Sequence, residues 1–179
     1  MASIEPRERA RHAYERGRIR LGLRAALAVI PLMALSMLIC GRPELTLPTG
    51  GALFAVTAWL RARGQAYGRA LVPGYLAGCA PLALPVALRA SGHCCVGGAC
   101  WSGCILACVA GGLFAGIATG FLSTTERDKR GPFFVSMLLV SGLVGGLGCA
   151  MAGLSGVLGM AVALGTTSLP ISWVAQRDA

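Results

Sequence analysis

The chain has 179 residues, of which 55% are hydrophobic and only 13% are charged. Soluble domains carry about a quarter charged residues, so this composition excludes an ordinary soluble protein and indicates one membrane domain. The net charge of +9 would suggest nucleic acid in a soluble protein. Here the basic residues lie between apolar segments, which points to orientation in a membrane and to no direct nucleic-acid partner.

Residues 1–20 form a basic N-terminal arm that is expected to lie in the cytoplasm. Its mixed charges permit helical pairs at four-residue spacing, such as Arg11 with Glu15. The arm can anchor the chain on anionic lipid or dock a cytoplasmic protein, and both alternatives remain open. The candidates for partner binding are Arg7, Arg9 and Arg11.

Six apolar segments follow the arm, and a bilayer core needs roughly 20 apolar residues as a helix. The last two form one apolar stretch that is too long for one crossing and is predicted to fold back near Ala152 and Gly153. The fold class is therefore all-α, a polytopic membrane bundle of about six transmembrane helices. The segments are 21–41, 46–60, 70–88, 103–122, 133–150 and 155–175, with a short tail at 176–179.

Charge distribution decides whether the short second segment crosses the membrane. With six crossings and a cytoplasmic N-terminus, 14 of the 16 Lys and Arg residues lie inside, and only Arg42 and Arg89 lie outside. If residues 46–60 only dip into the membrane, 8 lie on each side. Basic residues concentrate in cytoplasmic loops, so the sequence predicts six crossings with both termini in the cytoplasm of a bacterial cell.

Small residues recur every four positions on the last three segments, and such stripes let helix backbones approach closely. They are also compatible with a homo-oligomer. The third segment is interrupted by Pro73, Pro81 and Pro85, which free carbonyls that neighbouring helices are expected to satisfy. The stripes are Cys104, Cys108, Gly112, Gly116 and Gly120, then Ser141, Gly145 and Cys149, then Ser155, Gly159 and Ala163.

The 8 cysteines are concentrated around a predicted outer loop at residues 89–103. In an oxidising periplasm these cysteines would form disulfides, and soft-metal capture by His93, Cys94, Cys95 and Cys100 is the alternative. The spacing lacks both the C-x2-C pairs of structural zinc sites and the C-x-x-C of thiol oxidoreductases. Cys79 and Cys108 are interpreted as small apolar residues within helices. The disulfide, redox or metal candidates are Cys40, Cys94, Cys95, Cys100, Cys104 and Cys149.

An enzymatic function is not expected. Residues 153–156, Gly-Leu-Ser-Gly, resemble the nucleophile motif of rhomboid intramembrane proteases, but that serine needs a histidine base on a later helix. The only histidines, His12 and His93, come earlier in the chain. We therefore predict a tight hairpin at this motif, no catalytic residue and no cofactor.

The six-span layout and the cytoplasmic arm are accompanied by a cysteine at the outer start of helix four and another at the end of helix five. This arrangement resembles the six-helix membrane-bound negative regulators (anti-sigma factors) of extracytoplasmic-function sigma factors in Gram-negative bacteria. The matching cysteines are Cys104 and Cys149. The resemblance implies an inner-membrane sensor that holds a cytoplasmic sigma factor until an outer signal releases it.

Three functions are carried forward. The first is a regulatory protein that responds to redox or metal state through outer cysteines, the second a small transporter or binding protein for soft metal ions, and the third a structural membrane protein without a ligand. Because both lie at outer helix ends on small-residue stripes, Cys104 and Cys149 are expected to be neighbours. The cysteines at positions 94, 95 and 100 would then pair among themselves or with Cys40.

Overall fold

The computed structural model describes residues 6–40, 43–91, 100–124 and 130–177, and these segments contain helices and no strand. The all-α class is therefore confirmed. The α-helices are α1 (Pro6–Ala26), α2 (Val29–Cys40), α3 (Pro43–Arg63), α4 (Gln65–Arg69), α5 (Leu71–Ala90), α6 (Cys100–Ser123), α7 (Arg130–Cys149) and α8 (Gly153–Arg177), with a 3-10 turn at Ala150–Ala152 between the last two.

Among the described residues, five stretches are long and apolar enough to cross a membrane, which is the arrangement of a multi-pass membrane protein. They match five of the six predicted segments, with boundaries that differ by a few residues apart from the first. The stretches are Ala10–Leu38, Tyr67–Leu88, Gly103–Ser123, Arg130–Cys149 and Gly153–Val174.

The first stretch differs from its predicted boundary, because the basic arm and the first apolar segment form one long rod. Only a short irregularity at Leu27 and Ala28 separates α1 from α2. Its cause is Pro31, which has no N–H to donate to the Leu27 carbonyl four residues earlier. Ile30 N–H donates to that carbonyl instead, at 3.1 Å, so the helix tightens and then continues. α1 and α2 therefore form one nearly continuous helix.

The predicted second segment, residues 46–60, is part of a longer helix. α3 has 21 residues, which at 1.5 Å per residue is roughly 31 Å and matches a bilayer core in length. Its threonines, glycines and Pro48 make it less apolar than the five stretches above. Its buried residues alternate at spacings of four and three along one face, as in a packed helical seam. They are Thr46, Gly50, Leu53, Thr57 and Leu60.

α3 returns antiparallel along α1 and α2. Near one end, a Cβ at Gly22 would lie 2.6 Å from the Ala58 carbonyl oxygen, and toward the other end the Met33 side chain lies against Gly50. The hairpin packs on α5 and α7 through a buried apolar cluster that includes Leu53, Val140 and Val144, and two polar contacts add to it. Ser36 Oγ donates to the Leu147 carbonyl of α7 at 2.9 Å, and the Thr57 and Tyr75 hydroxyls lie 2.8 Å apart.

The glycines of the predicted α6 stripe pack closely against α8, whereas Ser155 of the predicted α8 stripe is exposed. α6 and α8 run parallel and in close contact, with Gly112 against the Met160 carbonyl, Gly116 against Thr167 and Gly120 against Ile171. At each of these glycines a Cβ would lie less than 3.0 Å from an atom of α8. The glycines therefore set the distance between the two helices, because any side chain there would force them apart.

α5 and α7 form a second parallel pair. Here glycines of α5 receive side chains and carbonyls of α7. A Cβ at Gly78 of α5 would lie 2.7 Å from Val144 Cβ and 3.0 Å from the Ser141 carbonyl oxygen. Gly74 lies one turn earlier, against Val140. The four helices α5 to α8 thus form a bundle in which alternate helices of the chain touch most closely.

We expect Gly112→Ala to destabilise the protein by about 1–3 kcal/mol, because its Cβ would lie 2.6 Å from the rigid Met160 carbonyl oxygen. The matched control is Gly165→Ala on α8, where no atom lies within 4 Å of the added Cβ. That change is expected to be neutral or to stabilise by up to about 1 kcal/mol, because alanine favours helix. Unfolding in mixed micelles measures both, and equal effects would contradict the packing described here.

Candidate functional site: a buried thiol cluster

Three cysteines and a methionine gather where α6, α7 and α8 meet at one end of the bundle. We call Cys104, Cys108, Cys149 and Met160 the thiol cluster, together with the Ala152 side chain against which they pack. Cys104 and Cys108 lie one turn apart on α6, and Cys149 is the last residue of α7. The cluster contains soft sulfur donors in an otherwise apolar environment.

A tight turn brings α8 back onto this cluster. The 3-10 turn at Ala150–Ala152 ends at Gly153, whose φ of 76° lies in the left-handed region that glycine adopts without steric cost. The predicted fold-back near Ala152 and Gly153 is therefore confirmed. Ser155 donates its hydroxyl to the Ala152 carbonyl at 3.3 Å, a local bond of the new helix. The protease-like motif is thus a hairpin that enters a packed helix.

Burial is nearly complete at the centre of the cluster. Cys108 and Cys149 are 0% exposed and Met160 is 1% exposed, while Cys104 is half-buried at the edge. The side chains of Cys108 and Cys149 lie in one buried cluster and interact with each other. Two thiols in contact can be joined by two-electron oxidation or can hold one soft metal ion as thiolates.

Gly156 makes this contact possible. A Cβ at this position would lie 2.5 Å from Ala152 Cβ, 3.1 Å from the Cys149 carbonyl oxygen and 3.4 Å from Cys108 Sγ. A larger residue would therefore push α8 away from the ends of α6 and α7. The glycine of the protease-like motif serves packing around the thiols.

The Cys149 thiol also reaches a backbone carbonyl that has lost its helical partner. Pro81 and Pro85 both lie within α5, and the Pro81 carbonyl would normally accept from the N–H of residue 85, which proline lacks. Cys149 Sγ donates to the Pro81 oxygen at 3.9 Å, a weak sulfur hydrogen bond. The expectation that neighbouring helices satisfy the carbonyls freed by proline is confirmed at this position.

Pro81 is held firmly in that place. A Cβ at Gly111 of α6 would lie 2.5 Å from Pro81 Cα, and one at Gly145 of α7 would lie 2.6 Å from Pro81 Cγ. A Cβ at Gly148 would lie 2.5 Å from Leu82 Cα, so this glycine likewise leaves room for the α5 backbone. The proline is thus clamped between two glycine helices, and the thiol cluster touches all four helices of the α5–α8 bundle.

The four described cysteine side chains, Cys79, Cys104, Cys108 and Cys149, are reduced thiols. The predicted neighbours Cys104 and Cys149 belong to the same cluster, and Cys108 also interacts with Cys149. The interpretation of Cys108 as a small apolar residue within a helix agrees with its complete burial in this cluster. Its interaction with Cys149 is the additional feature that the sequence did not predict. Cys79 is exposed on α5 and lies outside the cluster.

The remaining predicted site residues lie outside what the structure describes. This holds for His93, Cys94 and Cys95 and for the side chains of Cys40, Cys100, Arg7 and Arg9. Within the described part of the chain, no group of three or more His, Cys, Asp or Glu side chains is arranged to hold a metal ion. Arg11 is highly exposed and pairs with Glu15 at 3.4 Å, at the predicted four-residue spacing.

Comparisons of this chain with models of known protein families, with curated proteins and with solved structures find no match.

We expect the energetic effects of Cys108→Ala and Cys149→Ala to be non-additive, because each change removes the same thiol contact. A double-mutant cycle on unfolding in detergent should give a coupling of about 0.5–3 kcal/mol. Cys79→Ala, on an exposed face, is the matched control and should change stability by about 0.5 kcal/mol at most. Strictly additive effects of the two buried changes would contradict the contact.

Proposed function

We propose that this chain is a sensor in the bacterial inner membrane that detects oxidants or soft metal ions and regulates a cytoplasmic partner, as an anti-sigma factor does. The observation that carries the proposal is the buried contact between the Cys108 and Cys149 thiols. Because the two thiols lie between α6 and α7, oxidation or metal binding at them would change how these helices pack.

The proposed switch is the oxidation of these two thiols. Oxidation forms one S–S bond, breaks two S–H bonds and passes two electrons and two protons to an oxidant such as a diazene or a quinone. The Cys149 thiol then no longer donates to the Pro81 carbonyl, which has no helical N–H to replace it. A soft metal ion would remove the same proton by binding the thiolate.

A hydrogen bond and a nearly continuous helix connect the end of α7 to the N-terminal arm. Leu147, two residues before Cys149, accepts the buried hydrogen bond from Ser36 of α2. α2 continues into α1 with only the irregularity at residues 27–28 between them. A shift at the end of α7 would therefore act on a rod that ends in the arm with Arg7, Arg9 and Arg11, the proposed binding surface for a cytoplasmic sigma factor or similar regulator.

Orientation is part of the proposal. α3 is long enough to cross, and with six crossings both termini and 14 of the 16 Lys and Arg residues lie in the cytoplasm. The thiol cluster then lies near the outer side, as does the predicted Cys-rich loop at residues 89–103. Oxidants and metals of the periplasm would reach that loop first. A disulfide formed there would pass to the cluster by exchange, in which the Cys108 and Cys149 thiolates attack in turn, their S–S bond forms, and the two loop cysteines leave as thiolates.

A second candidate function is soft-metal binding or transport, favoured by the Met160 thioether beside the two thiols. Thiolates and thioethers are the ligands that select monovalent copper. Metal capture and oxidation differ in a measurable way, because a bound metal protects both thiols from alkylation without joining the sulfurs. The third candidate is a structural protein without a ligand. It predicts that neither oxidation nor metal addition changes the trypsin cleavage rate within residues 7–20.

Topology is tested by reporter fusions. Fusions after Arg63 and after Lys129 should report the cytoplasm, and one at Gly98 should report the outer side, because basic residues concentrate inside. An outer-side signal after Arg63 would remove the six-crossing arrangement and move the Cys-rich loop to the cytoplasm.

The sensor function is tested by coupling oxidation to the arm. In a variant whose only cysteines are Cys108 and Cys149, a membrane-permeant diazene oxidant should form an intramolecular disulfide, detected by mass spectrometry as loss of two hydrogens. Limited trypsin cleavage within residues 7–20 should then change in rate, because α2 is bonded to α7 beside Cys149.

The matched control contains Cys79 and Cys149 only, which the structure does not bring together in the cluster. It should form no intramolecular disulfide and show no change in cleavage. A disulfide at Cys108 and Cys149 that leaves arm cleavage unchanged would contradict the sensor and favour a structural role.

A further inference from the structure

We infer that a groove between α1 and α3 binds the headgroup of an anionic phospholipid. The groove, called here the α1–α3 groove, lies beside the crossing of the two helices and is separate from the thiol cluster. The inference does not depend on the proposed sensing of oxidants or metals. The lining residues are Glu15, Arg18, Ile19, Trp59, Ala62 and Arg63.

The helix crossing determines where the groove lies. Gly22 approaches the Ala58 carbonyl so closely that the two backbones touch there. Toward the N-terminus of α1, Arg18 and Ile19 occupy the same face of the helix one turn away, and Ala62 and Arg63 follow one turn beyond Ala58 on α3. Larger side chains on both helices replace the glycine contact, and an open space remains between them.

Arg18 is fixed at the wall of this groove. Its guanidinium donates to the carbonyl of Ala62 in the last turn of α3, where carbonyls have no partner within the helix. The positive charge also suits the negative end of the helix dipole. A guanidinium has five N–H donors, so this one bond leaves donors that can reach a phosphate.

Arg63 supplies the second cation. Its guanidinium lies over the Trp59 ring at 4.7 Å from the centroid. Stacking engages the face of the guanidinium, while its N–H donors point outward in the plane and can bind two phosphate oxygens at once. Glu15, the carboxylate of the groove, is paired with Arg11, which lowers its repulsion of an incoming anion.

Apolar exposure beside the cations favours a lipid over a soluble phosphate. Ile19 is 63% exposed and Trp59 49% exposed at the same level as the two arginines. A free phosphate would use only the guanidinium groups, whereas a phospholipid places its phosphate on them and its acyl chains along the ring and the isoleucine. Tryptophan prefers this interfacial depth, and in the proposed orientation the groove faces the leaflet that is rich in anionic lipid.

The test uses Trp59 as its own reporter. The protein with Trp101→Phe and Trp173→Phe, reconstituted in nanodiscs, has Trp59 as its sole tryptophan. Brominated phosphatidylglycerol and brominated phosphatidylcholine are compared as quenchers at equal mole fractions. Because both leaflets have the same lipids, the result is independent of orientation. We expect an association preference for phosphatidylglycerol that falls about fivefold for each of Arg18→Gln and Arg63→Gln.

The control is the double variant Arg16→Gln and Arg20→Gln, which removes two charges, twice as many as either single variant, from exposed positions of α1 outside the groove. It should keep the preference for phosphatidylglycerol. Equal quenching by the two lipids, or equal loss in the control and in the Arg18 and Arg63 variants, would overturn the inference in favour of general surface charge. Loss of the preference on adding inorganic phosphate, at constant ionic strength, would identify a small-anion site and overturn it as well.

Discussion

Lipid tails are as apolar as leucine, so helices inside a bilayer gain little from bringing apolar side chains together. Close backbone contact has to supply the attraction, and in this chain it occurs at glycines. Gly112 and Gly116 bring α8 onto α6, and Gly78 brings α7 onto α5. These contacts fix the spacing of the α5–α8 bundle, and every other feature of that bundle depends on the spacing.

The thiol cluster is the first consequence of this spacing. Cys108 and Cys149 can meet only because Gly156 lets the start of α8 lie against the ends of α6 and α7. The same clamp holds Pro81, whose carbonyl accepts from the Cys149 thiol. A weak sulfur hydrogen bond thereby occupies a place where the helix has no donor of its own. The Cys149 thiol is therefore linked to the α5 backbone at Pro81.

The hairpin of α1, α2 and α3 is joined to the bundle differently. Its contacts with the bundle include two hydroxyl hydrogen bonds, from Ser36 to the Leu147 carbonyl and between Thr57 and Tyr75. A buried apolar cluster that includes Leu53 and Val144 packs the hairpin against α5 and α7 as well. At the end of the hairpin away from Ser36, Arg18 and Arg63 line the groove proposed to bind lipid. The hairpin would thus transmit a change in the bundle while remaining anchored at the membrane surface.

The sequence by itself determined the helical class, five of the spans, the glycine stripes and the fold-back at Ala152 and Gly153, because apolar length and small-residue spacing are local properties of the chain. Only the tertiary structure decided which cysteines meet. Cys108 was indistinguishable from an apolar filler along the chain, since its partner Cys149 is brought to it by the packing of three helices. The same holds for the bond from Cys149 to Pro81, which depends on side chains far apart in sequence reaching one carbonyl. Contacts of this kind follow from how helices pack, and no local pattern encodes them.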